Sequence, residues 1–148
     1  MMSLPFIRIL VGAAVLASIY GDHTLAQSTA MLEGSWSGSL DVKTPNKLDK
    51  LVPLTLTIAN VSAGQSAGAL QFGAPKSCNA TLQFSGIDAD RNFWFRVISS
   101  NGGYCLRLQN SDAVMGIRPS EAGSVKLKVM ESGIFWGGTL DETPFPTK

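Results

Sequence analysis

The chain predicts a single all-β domain, an antiparallel β-barrel or sandwich of about eight to nine short strands held by one disulfide. Three observations carry that expectation. Apolar and polar residues alternate with a period of two in segment after segment, turn signals recur every eight to twelve residues, and no window beyond residue 26 shows a helical period. A length of 148 residues lies within the usual range of one domain, and 45% hydrophobic against 16% charged residues suits a buried core rather than disorder.

Residues 1–26 stand apart. Arg8 supplies a short positive region, Ile9 to Tyr20 an apolar run, and Thr24-Leu25-Ala26 a small-residue cleavage site before Gln27. The apolar run of about a dozen residues falls short of the ~20 needed to span a bilayer, so a secretory signal is expected rather than an anchor. Neither cysteine lies at the cleavage site, where a lipid would be attached. The expected mature product is residues 27–148, exported to a periplasm or the extracellular space.

The first strand runs from Gly34 to Val42, with Trp36, Gly38, Leu40 and Val42 on one side and Ser35, Ser37, Ser39 and Asp41 on the other. Thr44-Pro45-Asn46 breaks it, and a charged loop through Lys50 leads to a second strand in which Leu54, Leu56 and Ile58 alternate with Thr55 and Thr57. A Gly/Ala/Ser turn precedes a short strand over residues 69–72. Gly73 to Lys76 then punctuates the chain before Asn79 to Ser85, where Ala80, Leu82 and Phe84 face inward.

Residues 92–109 read as one hairpin. Asn101-Gly102 is a strong signal for a two-residue type I′ turn, because both central positions need positive φ and these residues tolerate it. Such a turn sets Val97 opposite Leu106, Phe95 opposite Leu108, Arg96 opposite Arg107 and Trp94 opposite Gln109. Phe93, Phe95, Val97, Tyr104, Leu106 and Leu108 then face the core, with Trp94, Arg96, Ile98, Cys105, Arg107 and Gln109 outside. Three further strands are expected at residues 113–118, 124–130 and 133–140, with Val125, Leu127 and Val129 opposite Lys126 and Lys128.

The first strand's Trp36-Ser37-Gly38-Ser39-Leu40-Asp41 is echoed by Trp136-Gly137-Gly138-Thr139-Leu140-Asp141 in the last. Both put Trp, Gly and Leu on one face. Glycine where two strands meet lets a large indole lie over the neighbouring backbone, so the terminal strands are expected to be neighbours.

Cys78 and Cys105 are the only cysteines, and in an exported protein such a pair most simply forms a disulfide. That bond conflicts with the hairpin register. Cys78 shares parity with the inward Ala80, Leu82 and Phe84, whereas the Asn101-Gly102 turn places Cys105 outside.

Gly34-Ser35-Trp36 on the first strand resembles the G-x-W opening of lipocalin- and avidin-like barrels, which implies a barrel able to carry a small ligand. Those families usually set a basic residue of a late strand over the Trp, and residues 133–140 contain none. The pattern is also similar to small periplasmic barrels that inhibit lysozymes or proteases. No inhibitor loop motif is present to transfer.

Several chemistries lack their residues. The single histidine, His23, lies in the expected signal, so histidine-based triads and histidine-containing zinc sites have no ligand in the mature chain. No glycine-rich phosphate loop precedes a helix, and no cofactor or metal site is indicated. Asp88 with Asp90, and Asp141 with Glu142, are the acidic pairs that a carboxylate-based hydrolase or a calcium site would use. Asn60-Val61-Ser62 and Asn79-Ala80-Thr81 match the glycosylation acceptor pattern, which matters only in a eukaryotic secretory pathway. Loss of Arg8 and Asp22 with the signal leaves 11 basic and 10 acidic residues, with no basic run to suggest nucleic acid.

The remaining lead is the outer face of the hairpin. Like charges at Arg96 and Arg107, directly opposite, cost a few tenths to about 1 kcal/mol unless an anion lies between them. With Trp94 two residues away and Phe135 a second outward aromatic, this surface could hold an acidic protein or glycan. Trp36 and Trp136 are assigned to the core. The expected function is a non-enzymatic exported binding module acting on a protein or cell-envelope component. A barrel holding a small apolar ligand is the alternative, and would require an interior cavity of several hundred Å³. Mass spectrometry of the exported protein is expected to find Gln27 at its N-terminus; a product retaining residues 1–26 would contradict the signal assignment.

Overall fold

In the computed structural model, residues 29–120 and 123–144 are described, so the expected signal segment lies outside them. Among the described residues, eight strands and one complete helix follow in order: β1 (Gly34–Thr44), β2 (Lys47–Ile58), β3 (Ser66–Phe72), β4 (Cys78–Ile87), β5 (Phe93–Ser100), α1 (Gly103–Asn110), β6 (Val114–Ser120), β7 (Ser124–Glu131) and β8 (Ile134–Glu142). Each strand pairs antiparallel with its successor, and β8 returns to β1, closing an eight-stranded barrel. Alternate residues fill the interior: Leu56, Leu70, Leu82, Phe95 and Met115 are wholly buried.

The terminal strands meet as the internal echo predicts, with Trp36 opposite Glu142 and Ser37 opposite Asp141. The large residue over each glycine is a leucine rather than an indole. A Cβ on Gly38 would stand 3.0 Å from Leu140 Cδ2, and one on Gly138 would stand 2.6 Å from Leu40 Cδ2. Each copy of the echo thus yields a glycine to the other's leucine. Thr143 N–H donates to Ser35 O at 2.7 Å, and the Ser37 and Thr143 hydroxyls lie 2.8 Å apart, extending the seam.

β2 starts earlier than expected, at Lys47 rather than beyond Lys50. A bulge between Leu40 and Val42 absorbs the extra residue, with Leu51 at φ 52° donating its N–H to Asp41 Oδ1 at 3.1 Å. This register sends Leu51 outward and buries Asp49. The Asp49 carboxylate meets the ammonium groups of Lys47 at 2.8 Å and Lys76 at 2.6 Å, and those hydrogen bonds hold its pKa below the usual value.

The hairpin expected over residues 92–109 is half right. β5 forms with Phe93, Phe95 and Val97 inward, but its partner arm is the helix α1, so there are eight strands and not nine. The free edge of β5 pairs with β6 instead, from Phe93 opposite Ile117 to Arg96 opposite Val114. A strand over residues 103–109 would have to take that place. Asn101 does not turn the chain back along β5. Its N–H donates to Asn79 O at 3.1 Å and its Oδ1 accepts from Asn79 N–H at 2.8 Å, tying the end of β5 to β4.

Gly102, at φ 109°, and Gly103, at φ 57°, then start the helix in a backbone region that suits glycine. α1 buries Tyr104, Cys105 and Leu108, while Leu106, expected in the core, is 44% exposed. Positions 104 and 108 satisfy both a two-residue and a helical period, so Cys105 against Leu106 decides between them. Cys105 is wholly buried and bonded to Cys78 with a Cα–Cα distance of 5.9 Å. The conflict between disulfide and register is thereby removed: Cys105 lies inside because its segment is helical.

α1 packs on β4 and β5, and its Tyr104 ring stands edge-on to Phe72 of β3 at 5.3 Å and 6.4 Å from Trp136 of β8. Burial, and next the Glu131 charge, raise the Tyr104 phenol pKa far above its ordinary value, so it stays neutral. Replacing both Cys78 and Cys105 by Ala is expected to lower unfolding free energy by about 3.5 kcal/mol, for a bond spanning 27 residues. Denaturant titration measures the loss, and hydrogen exchange should show residues 104–110 losing protection first. An unchanged midpoint would show that packing alone holds α1.

Candidate functional site

The register of β5 to β8 decides which side chains share the outer face. Three rows run across these strands. Arg96, Val114, Met130 and Phe135 form the first, and Trp94, Gly116, Lys128 and Gly137 the second. Arg118, Lys126 and Thr139 form the third. Rows lie about 6.7 Å apart along the strands and neighbouring strands about 4.8 Å apart.

Of the four surface residues singled out from sequence, three lie here. Trp94 is half-buried, Arg96 is exposed and Phe135 is 55% exposed. Arg107 is elsewhere. It sits on α1, where its Nε donates to Glu131 Oε1 at 2.7 Å, and Glu131 is 1% exposed. Ser111 Oγ approaches the same oxygen at 3.3 Å. Arg107 neutralises a buried carboxylate, and the expected Arg96–Arg107 pair does not form, because α1 replaces the strand that would have carried it.

A like-charge pair does form, between residues the hairpin argument passed over. Arg118 on β6 is directly opposite Lys126 on β7, both exposed, with Lys128 two residues further along β7. Arg96, Arg118, Lys126 and Lys128 make no ion pair among the described residues. The Lys128 ammonium instead lies 5.2 Å from the Phe135 ring centroid. A shallow groove of about 420 Å³ is lined by Arg118, Lys126 and Lys128 together with Asn92, Gly116, Gly138 and Thr139, and Arg96 lies outside this lining.

Trp94 flanks the groove and is held from two directions. Its Nε1–H donates to Asp88 Oδ2 at 2.9 Å, and its six-membered ring covers Gly116, where a Cβ would stand 3.1 Å from two ring carbons. Asp88 also accepts from the Asn92 side-chain and backbone N–H groups, at 2.8 and 2.9 Å, and from Asp90 N–H at 2.9 Å. The Asn92 bonds are the leading reason its pKa is held below the usual value. Asp88 is therefore a structural anion that orients the indole, not an acid poised with Asp90. Asp141 and Glu142 are successive residues of β8, so their side chains leave the strand in opposite directions and do not converge on one substrate.

A second pocket, of about 410 Å³, opens at the barrel mouth beside the start of β5 and the end of β6. Met31, Ile87, Phe93 and Pro119 give it an apolar lining, with Arg91 and Arg118 also present. It is a depression at the rim. The barrel axis itself is filled by Trp36, Phe84, Phe95, Met115 and Trp136, all buried. Trp36 is fixed by donating its Nε1–H to Leu32 O at 3.2 Å.

Among the described residues, no three His, Cys, Asp or Glu side chains gather to hold a metal, and no helix is long and apolar enough to cross a membrane. No family model matches the chain, and neither a curated protein nor a solved structure matches it.

The missed cations were partly legible, since Lys126 and Lys128 alternate with inward valines and leucine in the sequence. Their convergence with Arg118 depends on the β6–β7 register. Lys126→Gln is expected to raise stability by a few tenths of a kcal/mol at low salt, with the gain vanishing at about 1 M salt, where the screening length falls to about 3 Å. Thermal melts at both salt concentrations test this; a loss of stability at low salt would mean that Arg118 and Lys126 do not repel.

Proposed function

We propose that the chain is an exported, non-enzymatic binding module that docks an anionic component of the cell envelope or its surroundings on the outer face of β5–β8. The supporting observation is the Arg118–Lys126 pair beside Lys128, three cations that line an open groove and, with Arg96 on the same face, make no ion pair among the described residues. Like charges held opposite one another raise the energy of the free protein, and a bound anion removes that cost. Such a face adds attraction to any polyanion and accelerates encounter with it. The disulfide is compatible with an oxidising compartment.

A second reading has its own support. The mouth pocket combines apolar walls with Arg91 and Arg118, a combination suited to a small apolar molecule with an acidic end.

Binding to dextran sulfate tests the first reading against neutral dextran. Lys126→Ser/Lys128→Ser is expected to weaken binding about tenfold, equivalent to about 1.4 kcal/mol. The charge-matched control Lys43→Ser/Lys50→Ser removes two exposed lysines from the β1–β2 hairpin and should change affinity less than about twofold. Equal losses in the two variants would reduce the effect to net charge and sink the docking face.

A further inference from the structure

Resting on the anion-docking face just described, we propose that its partner is a linear acidic polysaccharide, with one sugar ring stacked on Trp94 and its acidic groups met in turn by Arg96, Lys128, Arg118 and Lys126. The spacing of the cations supplies the first argument. Arg96 lies two rows from Arg118, a separation of about 13 Å along the strands. No single small anion reaches both. A chain with acidic groups repeated along it can.

Trp94 supplies the second argument. Its indole is laid against the sheet over Gly116 and pinned by Asp88, so a planar apolar surface is fixed beside the cations before any ligand arrives. A pyranose ring presents apolar C–H groups to such a surface while its hydroxyl and acid groups reach the flanking Asn92, Thr139 and lysines. The groove beside the indole is lined by Asn92, Thr139, Arg118, Lys126 and Lys128, so a chain leaving Trp94 meets polar and cationic groups.

The same features disfavour the other polyanions. Extended peptides usually add to a sheet edge through backbone hydrogen bonds, and a closed barrel offers no edge. Single-stranded nucleic acid is held by successive aromatic platforms, whereas the groove has one; the other aromatic of this face, Phe135, is occupied by the Lys128 ammonium. A flat anionic bilayer does not enter a groove.

The experiment uses the oxidised mature protein and four probes at matched charge concentration: an oligogalacturonate, poly-glutamate, single-stranded oligothymidylate and phosphatidylglycerol-containing vesicles. Calorimetry is expected to show the oligogalacturonate bound most tightly. Trp94→Leu should weaken it about tenfold, near 1.4 kcal/mol, while changing poly-glutamate binding less than about twofold. Trp94→Phe, which keeps a flat ring, should restore most of the loss, and thermal melts confirm that each variant is folded. Equal affinity for all four probes, or a Trp94→Leu loss shared by poly-glutamate, overturns the polysaccharide assignment and leaves the anion-docking face standing. Preference for oligothymidylate or vesicles likewise overturns it in favour of that partner. Failure of every probe to bind at low salt removes the docking face itself.

Discussion

Closure of β8 onto β1 is the constraint on which the rest of the molecule depends. Close packing of two strands across a barrel seam requires that bulk on one side meet space on the other. Here Leu140 fills the space at Gly38 and Leu40 fills the space at Gly138. The six-residue echo between the first and last strands is the sequence record of that reciprocity. Closure removes the unpaired edges that would otherwise recruit another chain. It also leaves the convex outer face as the surface on which strands can display side chains together.

The helix α1 shows how a strong local signal loses to tertiary competition. Asn101-Gly102 favours a hairpin, and alternation over residues 104–108 agrees with it. Two constraints act against that local preference. β6 occupies the edge of β5 that a hairpin arm would need, and the disulfide draws Cys105 inward to the start of β4. A helix satisfies both, and Arg107 on its flank then supplies the counter-charge for the buried Glu131. Gly102, which made the turn plausible, serves with Gly103 to start the helix instead.

Electrostatics were the least legible part. Along the chain the charges are evenly mixed, and only a register can turn an even mixture into a one-sign face. The β6–β7 register aligns Arg118 with Lys126, and the β5–β6 pairing adds Arg96 and Trp94. Asp88, the acid close enough to matter to Trp94, is already saturated by four hydrogen bonds. Among the described residues no acid pairs with the cations of this face.

Sequence alone determined the all-β class, the inward residues of six of the eight strands, the burial of Trp36 and Trp136, the outward Phe135 and the pairing of the two cysteines. These follow from local alternation, composition and counting, which need no knowledge of neighbours. Tertiary structure decided that residues 103–110 are helical, that Arg107 faces Glu131 rather than Arg96, and that Arg118, Lys126 and Lys128 share one groove. Each of those outcomes turns on which strand lies beside which and in what register. Such pairing is a property of the closed barrel, and no segment carries it by itself.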